Sequence, residues 1–165
     1  MNRIFYTALL LLMGFRLNAQ DTDIEKIHTV LDQWHLAATQ ADFQAYFGLL
    51  SEEAVFIGTD ASEVWNKKEF MDFSRPYFEQ GKAWDFKAVD RNIYLDPSGE
   101  IAWFDELLDT WMQLCRGSGV VRKVDGEWKI AHYVLSLTIP NEEIDPVIAL
   151  KKEKDSTFIQ TLRKQ

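Results

Sequence analysis

Apolar residues at Ile24, Ile27, Leu31, Trp34, Ala38 and Ala41 recur at spacings of three and four, which is one stripe of an amphipathic helix. Thr22-Asp23-Ile24-Glu25 can open that helix, because a hydroxyl at the cap and a carboxylate three positions later satisfy each other's exposed amides. His28 and His35 fall one position after Ile27 and Trp34, so they are expected at partly exposed positions beside the stripe. Asp42 is placed to cap a second, short helix carrying Phe43, Tyr46, Phe47 and Leu50. Ala54-Val55-Phe56-Ile57 is short and rich in sheet formers, predicting a strand that ends at Gly58-Thr59-Asp60. Asn66, with Glu69 three positions on, starts a third helix that turns Phe70, Phe73, Tyr77 and Phe78 inward. Pro76 lacks an amide hydrogen and clashes with the preceding turn, so a kink there or an end near Arg75 is expected.

From Trp84 the period changes from helical to alternating. One strand runs from Trp84, Phe86 and Ala88 to Leu95, and Asp96-Pro97-Ser98-Gly99 is a turn. Residues Ile101 to Leu114, Gly117 to Val124 and Glu127 to Ile139 read as three further strands. Asp125-Gly126 joins the last two, because a two-residue hairpin turn needs residues that tolerate positive φ. After Pro140, Asp145 and Pro146 begin a final helix carrying Val147, Leu150, Phe158, Ile159 and Leu162. Two or three helices with one early strand, then a three- or four-strand antiparallel meander and a tail helix, define an α+β domain. Its N-terminal helices bury their apolar stripe on a curved antiparallel sheet. Parallel pairs are not expected, since they need connecting helices that the pattern does not show.

The start of the chain changes the compartment. Arg3, the apolar run Ile4 to Met13 and the small residue Ala19 before Gln20 match a cleavable secretory signal, and the run is too short to span a bilayer. The expected organisation is a signal at residues 1–19, a domain at 20–141 and a helical extension at 142–165. An exported protein, periplasmic or extracellular and without stable membrane insertion after cleavage, is implied. Losing Arg3 and Arg16 with the signal takes the formal charge from −8 to −10. That sign argues against a nucleic-acid partner, which needs a positive footprint. A lone Cys115 cannot form an internal disulfide and reads as a small buried hydrophobe.

Candidate chemistry rests on strand register. With Asp125-Gly126 as a two-residue turn, Val124 pairs with Glu127, Lys123 with Trp128, Val121 with Ile130 and Gly119 with His132. His132 then shares an apolar face with Trp128 and Ile130, opposite a glycine that leaves room. On the preceding strand Trp103, Asp105, Leu107, Asp109 and Trp111 share one face, and Phe104, Glu106, Leu108, Thr110 and Met112 the other. Asp105 between tryptophans needs a partner if buried. An Asp105–His132 pair would satisfy both groups and could act as a general acid or base; a hydrogen-bonded histidine filling the core is the competing reading. Asp60, Trp65, Trp103, Arg116, Tyr46 and Tyr133 are candidates for binding a polar or planar ligand. A turn cap, a surface ion-pair donor and core aromatics are the plainer roles for these residue types. No Walker-type glycine loop, HExxH or G-x-S-x-G turn is present, and the three histidines form no close metal signature, so no cofactor or metal is called.

The ordered pieces Ala54-Val55-Phe56-Ile57-Gly58-Thr59-Asp60 with Glu63-Val64-Trp65, then Ala102-Trp103-Phe104-Asp105-Glu106, Arg116-Gly117-Ser118-Gly119-Val120, and Gly126-Glu127-Trp128-Lys129-Ile130-Ala131-His132-Tyr133 carry a resemblance. From about Asp23 to Asn141 the chain resembles the SnoaL-like branch of the nuclear-transport-factor-2-like (NTF2-like) superfamily. The resemblance implies a cone-shaped domain with a strongly curved sheet under N-terminal helices, and frequent homodimers. It implies small-molecule isomerases, dehydratases and cyclases beside noncatalytic binding modules. Asp60, Trp65, Asp105, Arg116 and His132 carry over as cavity or rim positions. Two expectations follow. The first is an exported domain binding a small hydrophobic or mixed-polarity molecule, in one form a cofactor-independent isomerase, lyase or hydrolase using the Asp–His pair. The second is a noncatalytic homodimeric interaction or scaffold domain.

Overall fold

The computed structural model describes residues 22–164. The first helix, α1, covers residues 22–39 and buries Ile27, Leu31, Trp34 and Ala38 of the stripe, together with Ala37 and with His35, which was expected to be partly exposed. The expected signal at 1–19 lies outside the described residues. Ala41 closes α1 in the left-handed region at φ +53°, and the Asp42 amide reaches back to the Ala37 carbonyl at 2.8 Å. Asp42 then caps α2 (Phe43–Gly48), its Oδ1 accepting from the Ala45 amide at 3.0 Å. Two strands, β1 (Leu50–Ile57) and β2 (Val64–Asn66), precede α3 (Lys67–Glu79). The Asn66 and Glu69 side chains cap α3 reciprocally, at 3.0 and 2.9 Å. Of the two outcomes expected at Pro76, a kink or an end near Arg75, the end does not occur: α3 runs through Pro76 to Glu79.

The remaining strands are β3 (Lys87–Leu95), β4 (Ile101–Thr110), β5 (Gln113–Val124) and β6 (Glu127–Leu137), an antiparallel four-strand meander. A one-turn 3-10 helix (Asn141–Glu143) leads into α4 (Ile144–Leu162). All six strands join one sheet in the order β2-β1-β6-β5-β4-β3.

The sheet departs from the sequence pattern in three respects. The sheet is open, with β2 and β3 as its two edges, and is neither closed nor strongly curved, so the strongly curved cone is not formed. It is mixed rather than purely antiparallel. β1 runs parallel to β6, with Val55, Phe56 and Ile57 beside His132, Tyr133 and Val134, and the intervening chain from β2 through β5 supplies the crossover. The long strand Ile101 to Leu114 is two strands. Trp111 and Met112 form a tight turn between β4 and β5, held by the Thr110 hydroxyl, which accepts from the Met112 amide at 3.0 Å and donates to the Gln113 carbonyl at 2.9 Å.

The β5–β6 hairpin follows the expected register only as far as Val121 and Ile130. Asp125 and Gly126, at φ +53° and +83°, make the turn. Beyond Ile130 the register shifts, and Val120 pairs with His132 and Gly119 with Tyr133. Ala131 is the extra residue of a β-bulge. Trp128 and Ile130 point into the core before it, and Tyr133 and Leu135 after it. His132 is therefore turned to the opposite face from Ile130.

The core lies between the helices and the inner sheet face, where β4 contributes Ala102, Phe104, Glu106 and Leu108. Cys115 is buried in it, as read from the sequence. Full burial of a side chain the size of Leu31 or Ile130 stabilises by about 1.5–3 kcal/mol, so the inner face supplies most of the driving force for folding. The glycines of β5 adapt the sheet to that packing. A Cβ at Gly117 would collide with the Tyr133 hydroxyl, and one at Gly119 with the His132 carbonyl and the Phe104 ring.

Candidate functional site

A cleft of about 620 Å³ opens between α3, the first two strands, residues 82–87 and the β4–β5 turn. Phe56, Trp65, Phe70, Phe73, Trp84 and Trp111 form most of its apolar wall. The capped start of α3 fixes the face on which Phe70, Phe73 and Tyr77 lie, and the β1–β2 pairing sets Trp65 beside Phe56. Phe56 stacks on Phe70 with ring centroids 4.0 Å apart, Trp65 on Phe73 at 4.5 Å and Phe70 on Trp84 at 5.9 Å. Polar groups stand among the lining residues: Glu63, Asp109, Lys82, and Lys87 paired with Asp85 at 3.7 Å. Such a space can hold a flat molecule between rings, with charged groups available to its polar edge.

Tyr46 supports this wall from behind. It is fully buried, stacks on Trp34 at 4.9 Å, and its hydroxyl accepts from the Trp84 indole at 3.2 Å. Burial pushes the Tyr46 hydroxyl well above its ordinary pKa, so it stays protonated and holds the Trp84 ring in place.

Behind the cleft a polar network crosses the core. Glu106 Oε1 accepts from His35 Nε2 at 2.8 Å and from the Tyr133 hydroxyl at 3.0 Å, and Oε2 accepts from Arg91 Nε at 2.8 Å. Arg91 Nη1 continues to Asp32 at 2.7 Å. The Glu106 side chain is wholly inaccessible and Arg91 is 6% exposed. Burial pushes the Glu106 carboxyl up, but the His35 and Arg91 contacts outweigh it and hold the group below its ordinary pKa. An ionised carboxylate can only accept, so the network assigns the His35 proton to Nε2. Burial, reinforced by the Glu106 charge, raises the Tyr133 hydroxyl well above its ordinary value. Phe56 stacks on Tyr133 at 5.6 Å, so a single ring stands between network and cleft.

The sequence candidates scatter across these surroundings. Trp65 lines the cleft, and Tyr46 and Tyr133 are buried behind it. Asp105, Trp103, Arg116 and His132 lie on the outer sheet face. Trp103, Val120 and His132 form one row across β4, β5 and β6, and Asp105, Ser118 and Val134 the next, so β5 stands between Asp105 and His132. Asp105 instead bonds Arg116 at 3.2 Å and Asn92 at 3.4 Å. Trp103 stacks on Tyr94 at 5.9 Å. Asp60 caps the loop after β1, accepting from the Ser62 amide and hydroxyl at 2.9 and 2.6 Å.

The buried acid–histidine pair is thus Glu106–His35, which sequence reasoning missed. The two faces of β4 each carry a carboxylate, and the tryptophans drew attention to the face that proves to be outward. Arg91, a cation amid the irregular strand Lys87–Leu95, was the available signal for a buried counter-charge. Among the described residues no group of three or more His, Cys, Asp or Glu is placed to hold a metal ion, and no described helix is long and apolar enough to cross a membrane.

Comparison with solved structures places the fold in the NTF2-like class. An NTF2-like protein of unknown function from Pseudomonas putida aligns with TM-score 0.60 at 15% identity, over 72% of this chain and 88% of that one. A candidate dehydratase of the NTF2-like family from Streptomyces avermitilis aligns at 0.64 and 15% identity, over 73% and 99%. A domain of unknown function from Nostoc punctiforme, described as having a cystatin-like fold, aligns at 0.62 and 15% identity, over 87% and 98%. The chain belongs to the SnoaL-like domain family, whose model matches residues 27–140. No curated protein matches the chain.

Proposed function

We propose that this is an exported ligand-binding domain that takes a flat, largely apolar small molecule into the aromatic cleft. The carrying observation is the set of stacked rings, Phe56–Phe70 and Trp65–Phe73, lining a space of about 620 Å³. An aromatic ring adds about 0.5–1.5 kcal/mol per ring contact beyond its buried area. Loss of the Trp65 indole should therefore weaken binding at least tenfold. Titrating tryptophan fluorescence with a panel of fused-ring compounds tests this. A ligand should appear whose Kd rises at least tenfold in Trp65→Ala, and a Kd that stays the same for every ligand would refute the cleft as the site. Catalysis by Asp105 and His132 would need a ligand on the outer face. With the ligand in the cleft, Asp105→Asn and His132→Ala leave Kd unchanged.

A second reading, a homodimeric interaction domain, is supported by apolar surface left outside the core. Tyr94 and Trp103 stack on the outer sheet face while about half exposed, and α4 presents isoleucines and leucines to solvent.

A further inference from the structure

We propose that α4 pairs antiparallel with α4 of a second copy of this chain. The inference rests on the homodimer reading and names the surface that carries it. No residue of α4 is fully buried. Val147 and Phe158 are half-buried and turned toward the sheet across a gap shared with Ile57, Val134 and Leu137. Ile144, Ile148, Ile159 and Leu162 remain 42%, 56%, 44% and 52% exposed. At 100° per residue these four project within an arc of about 60° that begins about 40° from Phe158. The sheet meets only the Val147 and Phe158 side of the stripe and leaves the other four side chains to solvent.

The stripe is self-complementary. Ile148, Lys152, Asp155, Ile159 and Leu162 follow one another at spacings of four, three, four and three, the period of a helix–helix seam. A reversed second helix centred between Glu153 and Lys154 sets Ile148 against Ile159 and Lys152 against Asp155, with Ile144 beside Leu162. Two-fold symmetry makes each of these contacts twice. A parallel pair in register would set Lys152 against Lys152 and Asp155 against Asp155, so the charges select the antiparallel arrangement. Lys151 bridges Asp155 at 3.2 Å within one helix, and both also line the gap on the sheet side, so they stand where the seam meets it.

Sedimentation equilibrium of the purified protein between about 1 and 100 μM tests the pairing. Wild type should show a concentration-dependent dimer, and Ile148→Glu with Ile159→Glu should be monomeric throughout. Lys152→Asp or Asp155→Lys alone should each weaken the dimer about tenfold, since two exposed ion pairs turn repulsive. The two reversals together should restore it to within about threefold, a recovery that misfolding cannot imitate. Wild type monomeric at 100 μM would overturn both the homodimer reading and this inference. A dimer indifferent to every α4 variant would overturn the inference alone and leave the outer sheet face as the contact. Binding of the monomer to anionic phospholipid vesicles, lost in the Ile148→Glu, Ile159→Glu variant, would overturn it in favour of a membrane surface.

Discussion

Replacing Glu106 with Gln isolates the charge at the centre of the core while preserving its shape. Three donors converge on this carboxylate: His35 Nε2, the Tyr133 hydroxyl and Arg91 Nε. A glutamine offers one oxygen and one N–H₂ group. If the oxygen faces Arg91, the amide nitrogen meets His35 and Tyr133, and both must reverse their hydrogen bonds because the N–H₂ group can only donate. If the amide is flipped, two N–H groups oppose each other beside Arg91. Either way the buried guanidinium keeps only Asp32, which is largely exposed, as a charged partner. Removing one member of a buried ion pair costs about 3–5 kcal/mol, and the amide's remaining hydrogen bond places the expected loss near about 3 kcal/mol. For a domain of this length that lowers Tm by about 6–12 °C. Thermal and urea unfolding measure it, and a loss below about 1 kcal/mol would refute the view that the carboxylate is ionised and paired.

The same substitution should flatten the acid limb of the stability profile. Glu106 has a folded-state pKa depressed below its ordinary value, so between those two values the unfolded chain binds more protons than the folded one. Stability from this group is complete above the ordinary carboxylate pKa and declines as pH falls through the folded value. The Gln variant lacks that decline. A wild-type and variant profile with equal acid slopes would contradict the assignment.

Three other substitutions follow from the same packing. Gly117→Ala drives a methyl group into the Tyr133 hydroxyl and against Glu106, and should cost at least about 1–3 kcal/mol in thermal unfolding. Tyr133→Phe removes one donor to Glu106 and should cost about 1.5 kcal/mol; combined with Gly117→Ala it should cost less than the sum, because the colliding oxygen is gone. Gly126→Ala places a side chain at φ +83° in the hairpin turn and should cost about 1 kcal/mol without altering ligand binding.

Local signals in the sequence were strong where one residue type answers one backbone need. Asp42, the Asn66–Glu69 pair and Asp125-Gly126 mark helix starts and a turn, and all three act as read. The β4–β5 turn was illegible because it uses Trp111 and Met112, with a left-handed Gln113 and no glycine, proline or asparagine. The Ala131 bulge was illegible for a different reason. Alternation continues cleanly on either side, and only the pairing of Tyr133 with Gly119 and the seat of its hydroxyl against Gly117 show where the phase slips. That one residue displaced the whole site argument, moving His132 to the outer face and Tyr133 to the core. The parallel β1–β6 pair lay beyond a pattern reading altogether, since β1 must find a partner most of the domain's length away.

That parallel pair also orders assembly in time. β5 and β6 share a two-residue turn, so their hairpin can close within microseconds of reaching its sequence. β1 is made early yet contributes only when Val55, Phe56 and Ile57 reach His132, Tyr133 and Val134. Until then β6 is an open edge with unpaired amides and an exposed apolar flank, the condition under which chains add to one another instead of to themselves. The slow event in folding is expected to be this docking, and the interval before it is when the chain most needs protection from its neighbours.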